Sequence, residues 1–206
     1  MRTNVYVDGF NLFYGALRGT RYRWLDLEAF FDGLLPRNQV QTIHYFTARV
    51  KPRPDDPDAH LRQQVYLRAL GTLPRVQIHF GSFLVKPVRM PLAAPTAGGP
   101  RTVEVIKSEE KGSDVNLAVQ LVADAFRKAA QAFVVVSNDS DLTEPLRLVR
   151  HDLGYTVGLV NPHRQPSQAL MRCRPSFTLR VSATALGAAQ FPDLIPGTPL
   201  QKPNSW

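Results

Sequence analysis

Ala132-Phe133-Val134-Val135-Val136-Ser137-Asn138-Asp139-Ser140-Asp141 sets five apolar residues in a row against five polar ones. A strand with one wet face alternates; an unbroken Val-rich run is apolar on both faces, as in a parallel sheet covered by helices. The polar half then marks where the chain leaves the sheet. In open parallel sheets, ligands gather in the crevice beyond the carboxyl ends of the strands. Two carboxylates at that place, Asp139 and Asp141, therefore direct the search to other segments ending the same way.

Asn4–Val7 is such a segment, a short strand closed by Asp8-Gly9, with glycine suited to the tight exit. Between the two strands the spacing predicts alternation. A short helix is expected over Phe10–Leu17, and a second carries Leu25, Leu27, Phe30, Phe31 and Leu34 before Pro36. Thr42–Thr47 reads as a strand, with Ile43 and Tyr45 on one face and His44 and Phe46 on the other. Pro52–Asp58 leads into a helix near Ala59–Leu70, expected to bury Leu61, Val65 and Leu70 and to leave Arg62 and Arg68 in solvent. Val76–Phe80 and Ser82–Lys86 read as strands, Pro87–Pro100 as a surface excursion, and Thr102–Ile106 as the returning strand.

The helix expected over Ser113–Ala129 carries Val115, Leu117, Ala118, Leu121, Val122, Ala125 and Phe126 as a broad apolar stripe, with Glu109–Ser113 as its approach loop. Asp141–Arg150 follows as a helix, Tyr155–Val160 and Phe177–Val181 as strands, and Ser182–Ala189 as a last short helix. The predicted fold is a three-layer α/β/α domain with a central, mostly parallel sheet. It spans residues 1–190, with a loop or hairpin excursion near 81–106, and a proline-rich tail over 191–206.

Composition narrows the function classes. A chain of 206 residues with 44% hydrophobic content fits one domain with an ordinary core. The longest apolar runs are far too short to cross a bilayer, so no membrane partner is expected. Asp8 interrupts the first segment where an export signal would need an apolar core, and the cytoplasm is the expected location. The lone Cys173 excludes an internal disulfide framework and a cysteine-rich zinc site. Lys and Arg total 25 against 17 Asp and Glu, a net charge of +8, which favours encounter with polyanions. No Walker loop, dinucleotide fingerprint or Ser–His–Asp order occurs, and the five histidines show no metal-ligand spacing.

Asp114 falls in the first turn of the Ser113–Ala129 helix, on the side that leans toward the buried stripe. Each acid has a plain structural reading: a turn at Asp8-Gly9, a helix-dipole role for Asp114, a cap at Asp139 or Asp141. Brought to one edge, however, such carboxylates repel unless a cation or a proton neutralises them. A hard divalent ion, Mg²⁺ or Mn²⁺, suits an all-oxygen set. Asp8, Asp114 and Asp139 or Asp141 would position one ion or two against a phosphate, with Asn11 and Asn138 hydrogen-bonding to water or phosphate oxygens. Glu109 and Glu110 lie in a mixed-charge stretch that reads as solvated, with Glu110 in reserve as an outer ligand. Lys111 would contact phosphate or offset the acids.

Three motifs now stand in order: Asn4-Val5-Tyr6-Val7-Asp8-Gly9-Phe10-Asn11-Leu12, Glu110-Lys111-Gly112-Ser113-Asp114-Val115-Asn116-Leu117-Ala118 and Val136-Ser137-Asn138-Asp139-Ser140-Asp141-Leu142. Together they resemble the NYN domain family, in its LabA-like (DUF88) branch, within the PIN-like nuclease superfamily; the likeness runs from about residue 2 to 185. The resemblance implies a central parallel sheet, acids converging at its edge, and metal-dependent cleavage of RNA. Matched by motif, Asp8, Asn11, Asp114, Asp139 and Asp141 form the implied catalytic set, and the four aspartates the implied metal ligands. Many relatives carry a further acid near the position of Gln120, which cannot supply that charge.

Substrate contacts are sought among basic and aromatic residues. Arg18, Arg21 and Arg23 surround Tyr22 and Trp24; Arg49, Lys51 and Arg53 form a second edge; Arg147, Arg150, His151 and Arg164 form a third. Arg21, Arg23, Arg49, Lys111 and Asn138 are the candidate substrate contacts. The expected function is an endoribonuclease acting on single-stranded or unpaired RNA. The alternatives are an RNA-binding module without cleavage, a DNA nuclease or phosphatase using the same acids, and a homo-oligomeric adaptor.

Overall fold

The structure is a computed structural model that describes residues 1–52 and 56–206. Arg53, part of the second basic edge, lies outside the described residues, as does the middle of the Pro52–Asp58 segment.

Six parallel strands form the central sheet: β1 (Arg2–Asp8), β2 (Gln39–Thr47), β3 (Val76–Phe80), β6 (Ala132–Val136), β7 (Thr156–Asn161) and β8 (Phe177–Arg180). Their order is β3-β2-β1-β6-β7-β8. The chain winds outward from β1 to β3, then returns to lay β6 on the other side of β1. Strand order therefore reverses between β1 and β6, the place where such sheets open a crevice. All five residues of β6 are buried, as are Thr3–Asp8 of β1.

Side-chain alternation sorts the core into two layers. Val5, Val7, Ile43, Tyr45, Val134 and Val136 face α1 (Gly9–Leu12), α2 (Leu27–Leu34), α3 (Ala59–Leu70) and α7 (Ala183–Ala188). Tyr6, Phe46, Phe133, Val135 and Leu159 face α4 (Ser113–Phe126), α5 (Thr143–Arg147) and α6 (Gln168–Arg172). The expected alternation along the second strand holds, with Ile43 and Tyr45 opposite Phe46.

Several local expectations need correction. α3 buries Tyr66, Leu67, Ala69 and Leu70, while Leu61 is exposed and Arg62 is half-buried against Asp56. α4 buries Leu117, Leu121, Asp124 and Ala125, and turns Val115 and Phe126 to solvent, so its apolar stripe is narrower than predicted. The excursion is an antiparallel hairpin of β4 (Ser82–Pro91) and β5 (Thr102–Lys111). Glu109 and Glu110 thus belong to a strand rather than to an approach loop. Gly112 links that strand to α4 with φ of +98°, a conformation open to glycine.

The proline-rich tail contributes to the core. Phe191, Ile195 and Leu200 are buried in the first core layer, and Trp206 packs edge-on to Trp24 and Tyr66. Trp24 is itself fully buried, and its indole N–H donates to the Pro192 carbonyl at 2.9 Å. Trp24 is therefore a core residue with no ring face free for a nucleobase. Among the described residues, no helix is long and apolar enough to cross a membrane.

Candidate functional site

The carboxyl ends of β1 and β6 are tied together by a short chain of hydrogen bonds. Asp8 accepts the Asn11 N–H at Oδ1 and the Ser137 hydroxyl at Oδ2, each at 2.9 Å. Ser137 Oγ accepts the Asp139 N–H at 3.1 Å, and Asp139 Oδ1 accepts the Asp141 N–H at 3.0 Å. Asn11 Oδ1 accepts the Asn138 N–H at 2.9 Å. Asp139 thus caps the turn that follows, as its plain reading predicts, and Asp8 caps α1, where its plain reading was a turn. The capping role and the site role fall on the same side chains, because a carboxylate oxygen has more than one lone pair.

Asp8 and Asp139 share one cavity of about 380 Å³, whose wall also includes Asn11, Glu110, Asp114 and His163. Asp114 reaches it from the first turn of α4. Glu110 reaches it from the root of the hairpin, where its Oε1 accepts the Ser113 N–H and hydroxyl at 3.0 and 2.7 Å. Phe10, Tyr14, Phe83 and Ser108 complete the wall, with the Phe10 and Phe83 rings edge to face at 5.8 Å. Asp141 is exposed and lies outside this wall.

Burial and mutual repulsion show in the proton affinities. Asp114 is pushed up to about 6, first by desolvation and then by Asp8, Asp139, Glu110 and Asp141. Asp8 is pushed up by burial, against the pull of the Asn11 N–H and the Ser137 hydroxyl. Because the folded chain holds the Asp114 proton more tightly than an unfolded chain with an ordinary value of 3.8, the contribution of Asp114 to stability falls as pH rises from about 4 to 6 and stays lower above that. In EDTA, Asp114→Asn is expected to flatten this slope and raise the melting temperature at alkaline pH by about 2–4 °C. A lower melting temperature for the variant there would show that Asp114 is held by contacts this account lacks.

The donor set fits a hard divalent ion: carboxylate oxygens crowd one cavity, and Asp114 sits in an excess of negative charge that a cation would offset. Among the described residues, however, no three His, Cys, Asp or Glu side chains are already drawn to the spacing of an ion's ligands. An ion there would pull Asp114 and Asp139 inward or complete its shell with water.

The other predicted contacts disperse. Asn138 spends its side chain on the loop before α6, donating to the Gln165 carbonyl and accepting the Ser167 N–H. Lys111 faces Glu109 at 3.3 Å on the hairpin. Arg21 lies over the Tyr22 ring at 5.4 Å and Arg49 over the Phe80 ring at 4.7 Å; neither lines the acidic cavity. Arg23 lines a different cavity. Gln120 lies well down α4 from Asp114 and donates to Asp124 Oδ1 at 3.0 Å, part of a buried polar group with Tyr6 and His44. His163, set aside in the sequence for want of metal-ligand spacing, lines this wall, as do Phe10, Tyr14, Phe83 and Ser108, which the sequence did not single out; for His163 the position after β7, at the same sheet edge, was the available signal.

The chain matches the NYN domain over residues 2–179. It is 31% identical to 6-hydroxy-3-succinoylpyridine 3-monooxygenase HspA of Pseudomonas putida across all of this chain and 75% of that one. A crystal structure of a Vibrio parahaemolyticus protein of unknown function shares the fold, with a TM-score of 0.56 at 16% identity over 88% of this chain and 93% of that one. With the three acidic motifs in order and the parallel sheet that carries them, the chain belongs to the NYN domain family, within the PIN-like nuclease superfamily.

Proposed function

We propose that the protein is a metal-dependent ribonuclease that hydrolyses RNA phosphodiester bonds, endonucleolytically and in single-stranded or unpaired RNA. The observation that carries this reading is the meeting of Asp8, Asp114 and Asp139, from three distant segments, in one cavity at the reversal point of the sheet. Asp8, Asp114 and Asp139 would hold Mg²⁺ or Mn²⁺, with Glu110 and Asp141 as outer charge. When bound, the ion supplies Lewis acidity and an acidified water. The chain's own contribution is positional. Asn11 and Ser137 fix the Asp8 carboxylate, and the α4 terminus fixes Asp114. Phe10, Tyr14 and Phe83 offer ring surface on which an unpaired base can stack.

Labelled RNA, DNA and a phosphomonoester, each incubated with Mg²⁺, Mn²⁺ or EDTA, test the substrate class. RNA cleavage that needs the ion and is absent in EDTA is expected. RNA binding without cleavage would instead select a binding module, and hydrolysis of the monoester a phosphatase.

The likeness to HspA supports a second reading, oxygenation of a pyridine ring. A monooxygenase places one oxygen atom of O₂ in its substrate and reduces the other to water with two electrons from a donor. Oxygen uptake dependent on 6-hydroxy-3-succinoylpyridine and a two-electron reductant would favour it over the nuclease.

A further inference from the structure

Beside the acidic cavity lies a second one of about 290 Å³, of a different chemistry. Its interior is aromatic. Tyr45 and Tyr66 are buried, with their rings edge to face at 6.4 Å, and Trp206 closes one side. Its rim is basic: Arg18, Arg23 and Arg62 all line it, and among the described residues Asp56 is the only carboxylate in its wall.

The guanidinium groups are held in place before any ligand arrives. Arg23 donates through Nε to the Thr20 carbonyl at 3.0 Å, donates through Nη2 to the Ser205 carbonyl, and lies over the Trp206 ring at 5.6 Å. Arg62 is fixed by Asp56, and Arg18 lies over the Tyr14 ring at 5.4 Å. Burial pushes the Arg23 proton affinity down and the Arg62 charge adds to the effect, against the pull of Asp56. Asp56 offsets one of these charges, and a ligand anion beside the guanidinium groups would offset another.

Ring faces select flat π-systems, and planar guanidinium forks select carboxylate or phosphate oxygens. Phe10 and Tyr14 line both cavities, so a ligand seated among the rings lies one side chain away from the carboxylates. We propose that this second cavity binds a planar aromatic ring bearing an anionic group, a single nucleotide or a smaller aromatic acid. The proposal stands on the second cavity's own walls and holds whether or not the acidic cavity hydrolyses RNA.

Calorimetric titration of the full chain in EDTA, with uridine 5′-monophosphate, uridine and pyridine-3-carboxylate, tests it. At least one of the two anions is expected to bind, with uridine at least about tenfold weaker than its phosphate if the nucleotide is the ligand. Arg23→Gln and Arg18→Gln are each expected to weaken the anion by about tenfold or more. Arg18 is exposed, so its substitution leaves the fold intact and the result readable even if Arg23→Gln loosens the tail. Tighter binding of the nucleotide assigns the ring to a nucleotide, and tighter binding of the pyridine acid assigns it to a smaller aromatic acid. Absence of binding by both anions, or affinity unchanged in both arginine variants, overturns the proposal.

Discussion

Asp8→Asn is expected to lower ion-dependent RNA cleavage by on the order of 10²-fold or more, the cost of removing a charge fixed beside the reacting phosphate. The fold should survive the change. Asn keeps an oxygen for the Asn11 N–H and a polar group beside the Ser137 hydroxyl, and it removes a buried carboxylate whose proton affinity is already raised. Single-turnover cleavage of a labelled RNA, with a melting curve on the same preparation, measures both quantities. Asp139→Asn should behave similarly, with a smaller loss if water can replace its oxygen. Residual cleavage equal in wild type and both variants would place the activity elsewhere.

Trp24→Ala is expected to destabilise the protein by about 3–5 kcal/mol, the range for emptying a large aromatic from a packed core. Its ring is fully buried and touches Tyr66, Phe191 and Trp206, and its N–H satisfies the Pro192 carbonyl. The loss therefore removes the contact between the early chain and the tail as well as core volume. A chain of this size should lose roughly 10 °C of melting temperature, and protease should reach the segment after Ala189 sooner. An unchanged melting temperature would show that the tail packs independently of Trp24.

The parts of the fold legible in the sequence are those whose signal is local. Ala132–Val136 reads as a strand buried on both faces because no polar residue interrupts it, and Asp8-Gly9 marks the end of β1 because glycine frees the turn. Placing Asp8, Asp114 and Asp139 together required only that two strands be parallel and one helix start at the same edge. What escaped depended on partners far away in the chain. Asp124 is buried on α4 since Tyr6 from β1 and His44 from β2 meet its carboxylate, and no window of α4 contains that information. Val115 and Phe126 face solvent because helix geometry turns them well away from the side of α4 that carries Leu117, Leu121 and Ala125.

The hairpin was read too short for a related reason. Pro87 and Pro91 look like breaks, but a two-stranded ribbon leaves alternate backbone groups pointing outward, where a missing N–H costs no ladder bond. The arginines were the least legible part. Long basic side chains on loops take whichever aromatic or carboxylate is near, and Arg21, Arg49 and Arg23 found Tyr22, Phe80 and Trp206. His163 joined the acidic cavity through the loop after β7, and its place just past a strand's carboxyl end was the signal the sequence offered.

Isothermal titration of Mn²⁺ into the protein, above the Asp114 titration near 6, asks the most direct question. Wild type should take up the ion, and the Asp8→Asn, Asp139→Asn double variant should bind it at least about tenfold more weakly. Equal uptake by both proteins would mean that the cavity at the β1–β6 junction does not hold the ion, and the proposed chemistry would have no site.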